Sequence, residues 1–175
     1  MADQGRVDLA ARDTPLQPAD RLGAALGFAP GALWVKRDDL TGLAGGGNKA
    51  RKLEVLVAAA LAERADTLVT GGAGQSNHVR MTAAAAARFG LACSAVLLGS
   101  PPAAAEGNLV LDALLGAELS WAAWDTAAGA LDAACARAVA AGRRPYLIPL
   151  GGSSPLGASG YAACADELIA AAPPD

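Results

Sequence analysis

The sequence predicts an α/β fold, a parallel sheet with helices on both faces. Three observations carry that reading. Short β-branched or apolar runs alternate with longer helical stretches over most of the chain. Glycines stand just after several of those stretches, at Gly90, Gly116 and Gly142, where a helix ends in a left-handed residue. The spacing of strand, helix and strand suits right-handed crossovers between parallel strands.

The elements follow in order. Residues 1–32 hold Pro15, Pro18 and Pro30 with little periodicity, and read as an irregular arm with one short helix near Arg21–Leu26. Leu33–Lys36 reads as a strand, and Asp38–Gly42 with Gly45–Gly47 as a loop. Leu53, Leu56, Val57, Ala60 and Leu61 fall on one face of a helix, with Asn48 as its expected N-cap. Thr67–Thr70 is a strand running into Gly71–His78 and a helix from Ser76 to Phe89. Strands at Cys93–Leu98, Glu118–Trp121 and Tyr146–Ile148 alternate with helices at Gly107–Leu115 and Thr126–Ala141. Gly151–Pro155 then leads into one last helix, to about Ala171.

Composition excludes several classes. With 53% hydrophobic and 18% charged residues among 175, the chain can bury a core as one domain or slightly more. A net charge of -3 and the lack of a basic stripe argue against a nucleic-acid partner. The apolar runs are too short or too often interrupted to span a membrane, and the charged N-terminus does not read as a signal peptide. Cys93, Cys135 and Cys164 have no metal spacing, so no metal is expected. They read as small buried hydrophobes in a protein of the reducing cytoplasm.

Four stretches could carry chemistry. Gly45-Gly46-Gly47-Asn48-Lys49 delivers one lysine to a helix start, where the helix dipole and desolvation both favour the neutral, nucleophilic amine. An ordinary solvated lysine beside a flexible loop is the alternative. Gly74-Gln75-Ser76-Asn77-His78 lies at a strand-to-helix turn whose free N–H groups suit a carboxylate or phenolate oxygen. Ser76 could relay a proton or simply cap the helix. Asn77 could donate to a ring hydroxyl or be a turn residue. His78, the single histidine, could titrate or be packed in the first turn. Gly151–Gly157 is either an anion loop or, the preferred reading, a structural turn between lobes in which Ser154 caps a helix with Pro155 at its first position. Lys36-Arg37-Asp38-Asp39 is either a salt-bridged surface loop or a support for the glycine loop.

Lys36–Gly42, Gly46–Glu54, Gly74–Arg80 and Ile148–Gly157 resemble, in the same order, motifs of the D-cysteine desulfhydrase and 1-aminocyclopropane-1-carboxylate deaminase family. These are pyridoxal-phosphate enzymes of the tryptophan-synthase-β fold type. The resemblance runs from about residue 33 to the end and covers the N-terminal half of such an enzyme. It implies that Lys49 bonds to pyridoxal 5'-phosphate and later acts as acid and base, with Asn48 beside it in the cofactor site. Asn77 would donate to the cofactor's ring hydroxyl, while Ser76, Asn77, Gln75 and His78 would hold the substrate carboxylate and assist proton transfer. Deaminases of the family typically carry glutamine where this chain has His78, which tilts the reading toward a desulfhydrase or cysteate lyase.

The resemblance further implies a two-lobe enzyme, homodimeric at full length, that eliminates from a small amino acid; D-cysteine would give pyruvate, ammonia and sulfide. Residues 1–50 would form the arm and the start of the larger lobe, 51–152 the smaller α/β lobe, and 153–175 the return helix. Family members run to about twice this length. The larger lobe is thus expected to be truncated here, with the phosphate-binding loop, the pyridine-nitrogen partner and an active-site tyrosine outside the chain. The competing readings are a non-catalytic α/β domain unable to retain the cofactor, a deaminase or cysteate lyase, and β-replacement on the same fold.

Overall fold

The computed structural model describes residues 5–171. Its centre is a four-stranded sheet of β3 (Thr67–Ala73), β4 (Ala92–Leu98), β5 (Ala117–Ala122) and β6 (Pro145–Leu147), in the order β5-β4-β3-β6 and parallel throughout. The chain steps outward from β3 through α3 (Asn77–Arg88) to β4, and through α4 (Asn108–Leu114) to β5. It then returns through α5 (Ala127–Ala140) to β6, on the far side of β3. Crossovers of one hand running in opposite directions must lie on opposite faces. Accordingly, Leu68 and Cys93 pack with α2 (Lys49–Ala62) and α3, and Ala95 and Leu97 with Val79 and Leu109. Val69, Val96 and Leu98 face Leu131 and Ala134 of α5. The reversal of strand order between β3 and β6 makes a crevice at their carboxyl ends, the place where open α/β sheets bind ligands.

Most expected elements are present, and the departures have physical causes. β3 runs three residues past Thr70 because Gly71, Gly72 and Ala73 still pair with Val96, Leu97 and Leu98. A Cβ on Gly71 would stand 2.9 Å from the Val96 carbonyl oxygen, so this close pairing depends on glycine. Within the arm, α1 (Asp20–Ala25) appears where expected, but β1 (Leu16–Pro18) was not foreseen. It pairs antiparallel with β2 (Trp34–Lys36), and three residues ending in proline carry almost no strand signal. Asn48 occupies the cap position of α2 but does not cap it with its side chain: its backbone is already helical (φ -61, ψ -18). Side-chain capping needs an extended backbone at that position. Ser76 (ψ 118) and Ser154 (ψ 165) have it, and their hydroxyls accept from the N–H groups of Val79 and Gly157. Cys93 and Cys164 are buried, whereas Cys135 is only partly so.

The last helix is two, α6 (Pro155–Ser159) and α7 (Ala162–Ala171). Gly160 lies so close to α2 that a Cβ there would meet the Arg51 carbonyl oxygen at 2.1 Å. The break redirects α7 so that Glu167 reaches the side chain of Arg51. That guanidinium is 1% exposed and fully engaged. Nε and Nη2 donate to Asp38 at 2.9 and 2.8 Å, Nη1 and Nη2 donate to Glu167 at 2.8 Å, and Nη2 also reaches Thr14 Oγ1 at 3.1 Å. Lys36 adds a second cation, its Nζ 2.6 Å from Glu167 Oε2. Less than one turn further along α2, buried Glu54 pairs with Arg6 and accepts from the N–H groups of Leu9 and Ala10, tying down the arm.

Removing one member of a buried ion cluster strands the others in a poor solvent. Glu167→Ala is expected to cost about 3 kcal/mol in urea unfolding, read as a lower midpoint at unchanged slope. Arg51→Met should cost at least as much, about 3–5 kcal/mol, because two carboxylates then face each other. A loss below about 0.5 kcal/mol for either would mean that the cluster is hydrated like a surface pair.

Candidate active site

The sequence-predicted residues converge at the carboxyl end of the sheet, on the starts of two neighbouring helices. Lys49 is the first residue of α2, and Ser76, Asn77 and His78 form the cap and first turn of α3. The loop before Lys49 is held from below. Gly47 N–H donates to the Asp38 carbonyl oxygen and to Thr41 Oγ1, both at 2.9 Å. Gly46 (φ +77) sits where a Cβ would fall 1.9 Å from the Asp39 carbonyl oxygen. The 36–39 stretch therefore does both things expected of it: Arg37 pairs with Asp39 at the surface, and the Asp38 and Asp39 backbone carries the glycine loop. The Lys49 ammonium has no hydrogen-bond or ion-pair partner among the described residues. Asn48 is exposed, and its carbonyl accepts from Tyr161 Oη at 3.1 Å.

Across from the lysine, Asn77 is exposed and its orientation is settled. Its Oδ1 accepts from Arg80 Nη1 at 2.9 Å and from Asn108 Nδ2 at 3.0 Å, which leaves Nδ2 without a partner among the described residues. Ser76 Oγ accepts from Val79 N–H at 3.3 Å and keeps its own proton to donate. The first N–H groups of α3 have no intrahelical acceptor and sit at the positive end of the helix dipole.

Gln75 and His78 are placed differently. Gln75 is engaged at both ends: Nε2 donates to the Glu106 carbonyl oxygen at 3.0 Å and Oε1 accepts from Asn108 N–H at 2.9 Å. It works as a strut between the loop after β3 and the start of α4. His78 is 2% exposed and lies within 3.0 Å of Thr70 Oγ1 through Nε2. Thr70 spends its single proton on the Ile148 carbonyl oxygen, so it must accept from His78. The proton is thereby assigned to Nε2, and Nδ1 is a bare, buried lone pair. Burial first, and then the charges of Lys49 and Lys52, bring His78 down to about 4, so the ring is neutral at physiological pH. Both lysines lie near enough for their charges to act on the ring. Lys52 is pulled down too, by desolvation and then by Lys49, while its Nζ donates to the Gly151 carbonyl oxygen at 3.1 Å.

Four contributors escaped the sequence reading: Arg51, Glu54, Arg80 and Asn108. Charged residues at i and i+3 on an otherwise apolar helix, as at Arg51 and Glu54, were the one available signal.

Comparison with known proteins bears on this arrangement. Residues 7–175 match the family described as pyridoxal-phosphate dependent enzyme. The chain belongs to that family. It is 47% identical over 175 residues to the D-cysteine desulfhydrase of Serratia proteamaculans, covering 96% of this chain and 52% of the relative. The D-cysteine desulfhydrase of Salmonella typhi is also 47% identical, over 94% of this chain and 51% of its own length. The chain thus spans about half the length of the curated relatives it matches. A crystal structure of an ACC deaminase homologue superposes with a TM-score of 0.84 at 38% identity, over 96% of this chain and 51% of that one. Diaminopropionate ammonia lyase from Escherichia coli shares the fold at 20% identity and a TM-score of 0.66, over 91% of this chain and 48% of that one.

The residues present fit such a cofactor on two counts: an amine with no competing partner and an amide donor left without one among the described residues. No group of His, Cys, Asp or Glu positioned to hold a metal occurs among the described residues, and no described helix is long and apolar enough to cross a membrane.

The environment of His78 predicts a pH dependence. A depressed histidine contributes stability that is present above about pH 6.5 and lost as the pH falls through about 4. At pH 5 the loss should be about 2 kcal/mol. Asp112 works in the opposite sense. Burial pushes it up to about 6, against the pull of Arg80, so its share grows as the pH falls. Comparing wild type with His78→Gln isolates the histidine: urea midpoints at pH 7.5 and 5 should converge for the variant relative to wild type. Equal pH dependence in both proteins would contradict a buried neutral ring.

Proposed function

We propose that this chain carries the lysine-bearing part of a pyridoxal-phosphate-dependent lyase that acts on a small amino acid by β-elimination. D-cysteine is the proposed substrate, consumed with water to give pyruvate, ammonia and sulfide. The observation that carries the reading is the placement of Lys49: an unpartnered amine at the start of α2, on a loop braced against the helix that presents Asn77. The 47% identity to D-cysteine desulfhydrases supports this substrate over 1-aminocyclopropane-1-carboxylate or L-cysteate.

Pyridoxal phosphate supplies an aldehyde that an amine can attack and a ring that takes up the electron pair released at the substrate Cα. Everything else falls to the chain. Lys49 Nζ would hold the cofactor and would be the base for the substrate Cα proton. Asn77 Nδ2 would donate to the ring oxygen. The Ser76 hydroxyl and the first N–H groups of α3 bind the substrate carboxylate, an anion at a helix N-terminus. Asn48 lies at the rim of the cofactor site, its backbone fixed by Tyr161. Gln75 holds the carboxylate loop in shape, and His78 contributes a buried, neutral floor. In this reading residues 51–152 form the smaller lobe, and the arm and return helix join it to the rest of a two-lobe enzyme.

Titration with pyridoxal phosphate tests the reading. A saturable absorbance change should appear in the wild-type chain and be absent in Lys49→Ala, and D-cysteine should then yield pyruvate and sulfide in equal amounts. Binding that leaves Lys49→Ala unaffected would overturn the assignment of the lysine. Binding with a substituted amino acid as product, in place of pyruvate, would overturn the reaction type. No binding at all would favour the non-catalytic domain.

A further inference from the structure

Arg80 takes no part in the chemistry above, yet its guanidinium joins the two loops that do. Nη1 donates to Asn77 Oδ1 at 2.9 Å and to Asn108 Oδ1 at 2.8 Å, and Nη2 donates to the Gly46 carbonyl oxygen at 2.9 Å. A guanidinium has donors only, so it dictates which end of each amide faces it. Asn77 must present oxygen to Arg80 and therefore turn Nδ2 away. Asn108 must do the same, which directs its Nδ2 to Asn77 Oδ1 at 3.0 Å and to the Gln75 carbonyl oxygen at 2.8 Å. Both lone pairs of Asn77 Oδ1 are then filled, and the amide cannot flip without losing both bonds.

The same guanidinium closes the other side of the lysine loop. The Asp39 backbone leaves no room beneath Gly46, and Arg80 holds its carbonyl from α3. Asp112 of α4 is 0% exposed, with neither carboxylate oxygen bonded among the described residues, and Arg80 Nε is likewise buried and unbonded. Arg80 is the cation whose charge acts on that carboxylate. It is thus held by three acceptors.

We propose that Arg80 is a positioning residue that fixes the Asn77 amide with its donor outward and locks it to the Gly46–Lys49 loop, so that the ring-oxygen donor and the lysine keep one geometry. The inference rests on the roles assigned above to Asn77 and Lys49. It is separable from them, because the locking exists without a ligand. A lysine at this position has one donor centre and cannot span three acceptors in the plane of a fork.

The test uses the whole chain, first without cofactor. Amide exchange is followed at Gly46, Gly47 and Asn108, whose N–H groups all have acceptors in the structure. In Arg80→Met and Arg80→Lys, exchange at all three should rise about tenfold or more over the global change, the scale of losing charge-assisted hydrogen bonds. The control is Leu131→Ala, on the opposite face of the sheet, which should move the three amides no more than the rest of the core. Should Arg80→Met fail to fold, Asn108→Ala decides, and should loosen Gly46 less than Arg80→Lys does. Pyridoxal phosphate is then titrated into the variants. The dissociation constant of Arg80→Met should rise about tenfold or more. Adding Arg80→Met to Asn77→Ala should weaken binding by less than about twofold, because residues acting in series are not additive. Unchanged exchange at Gly46 and Gly47 in both arginine variants, or fully multiplicative losses in the double variant, would overturn the proposal. Absent binding by wild type would overturn the functional reading instead, and the exchange data would still decide the role of Arg80.

Discussion

The Arg51 guanidinium, closed between the carboxylates of Asp38 and Glu167, ties together segments that would otherwise meet only through weak contacts. Thr14 and Lys36 come from the arm and β2, Asp38 from the turn beneath the glycine loop, Arg51 from α2 and Glu167 from α7. Charges balance within the cluster, two cations against two carboxylates, and the guanidinium fork meets each carboxylate in two bonds. Such a cluster adds little net stability over an apolar core, but it penalises every arrangement that leaves one member unpaired. Its effect is therefore on geometry. The penalty falls on any displacement of Asp38, whose carbonyl carries Gly47, and on any rotation of α2, whose first residue is Lys49.

The site inherits that geometry through short paths. One residue, Ala50, separates Arg51 from Lys49, and the backbone of Asp38 and Asp39 forms the bed of the glycine loop. From the other side, Arg80 joins the same loop to Asn77. The lysine thus stands between two fixed supports and is itself bound by neither. His78 fits the same logic. A histidine buried beneath two lysines would be an electrostatic liability if charged. Burial and the two lysine charges hold it neutral, and the hydrogen bond from its Nε2 to Thr70, anchored in turn on Ile148, fixes its place between β3 and the end of β6.

Much of this was legible from the residues, because strong local signals met no tertiary contradiction. α3 and its Gly90 terminus, the Ser76 cap, and Ser154 with Pro155 at the start of α6 all follow local rules, and the structure obeys them. What escaped was decided by distant partners. β1 exists because β2 lies beside it. The last helix breaks at Gly160 because α2 passes within 2.1 Å of where a side chain would begin. Asn48 reads as a cap by type but is already helical, so it cannot act as one. Gln75 and His78 sit among residues that suggest ligand contact, yet their partners are Glu106, Asn108 and Thr70, separated in sequence from the motif and invisible to its spacing. Arg80 was within the motif, but its role depends on Gly46 and Asn108, brought near only by packing.

The measurement that tests the central claim most directly is borohydride treatment of the chain in the presence of pyridoxal phosphate, followed by peptide mapping. Reduction makes a lysine–cofactor bond permanent and so records which amine was presented. The account predicts modification of Lys49, with Lys52 and Lys36 spared because one donates to the Gly151 carbonyl and the other is paired with Glu167. Modification spread evenly over the lysines, or concentrated on Lys52, would contradict it.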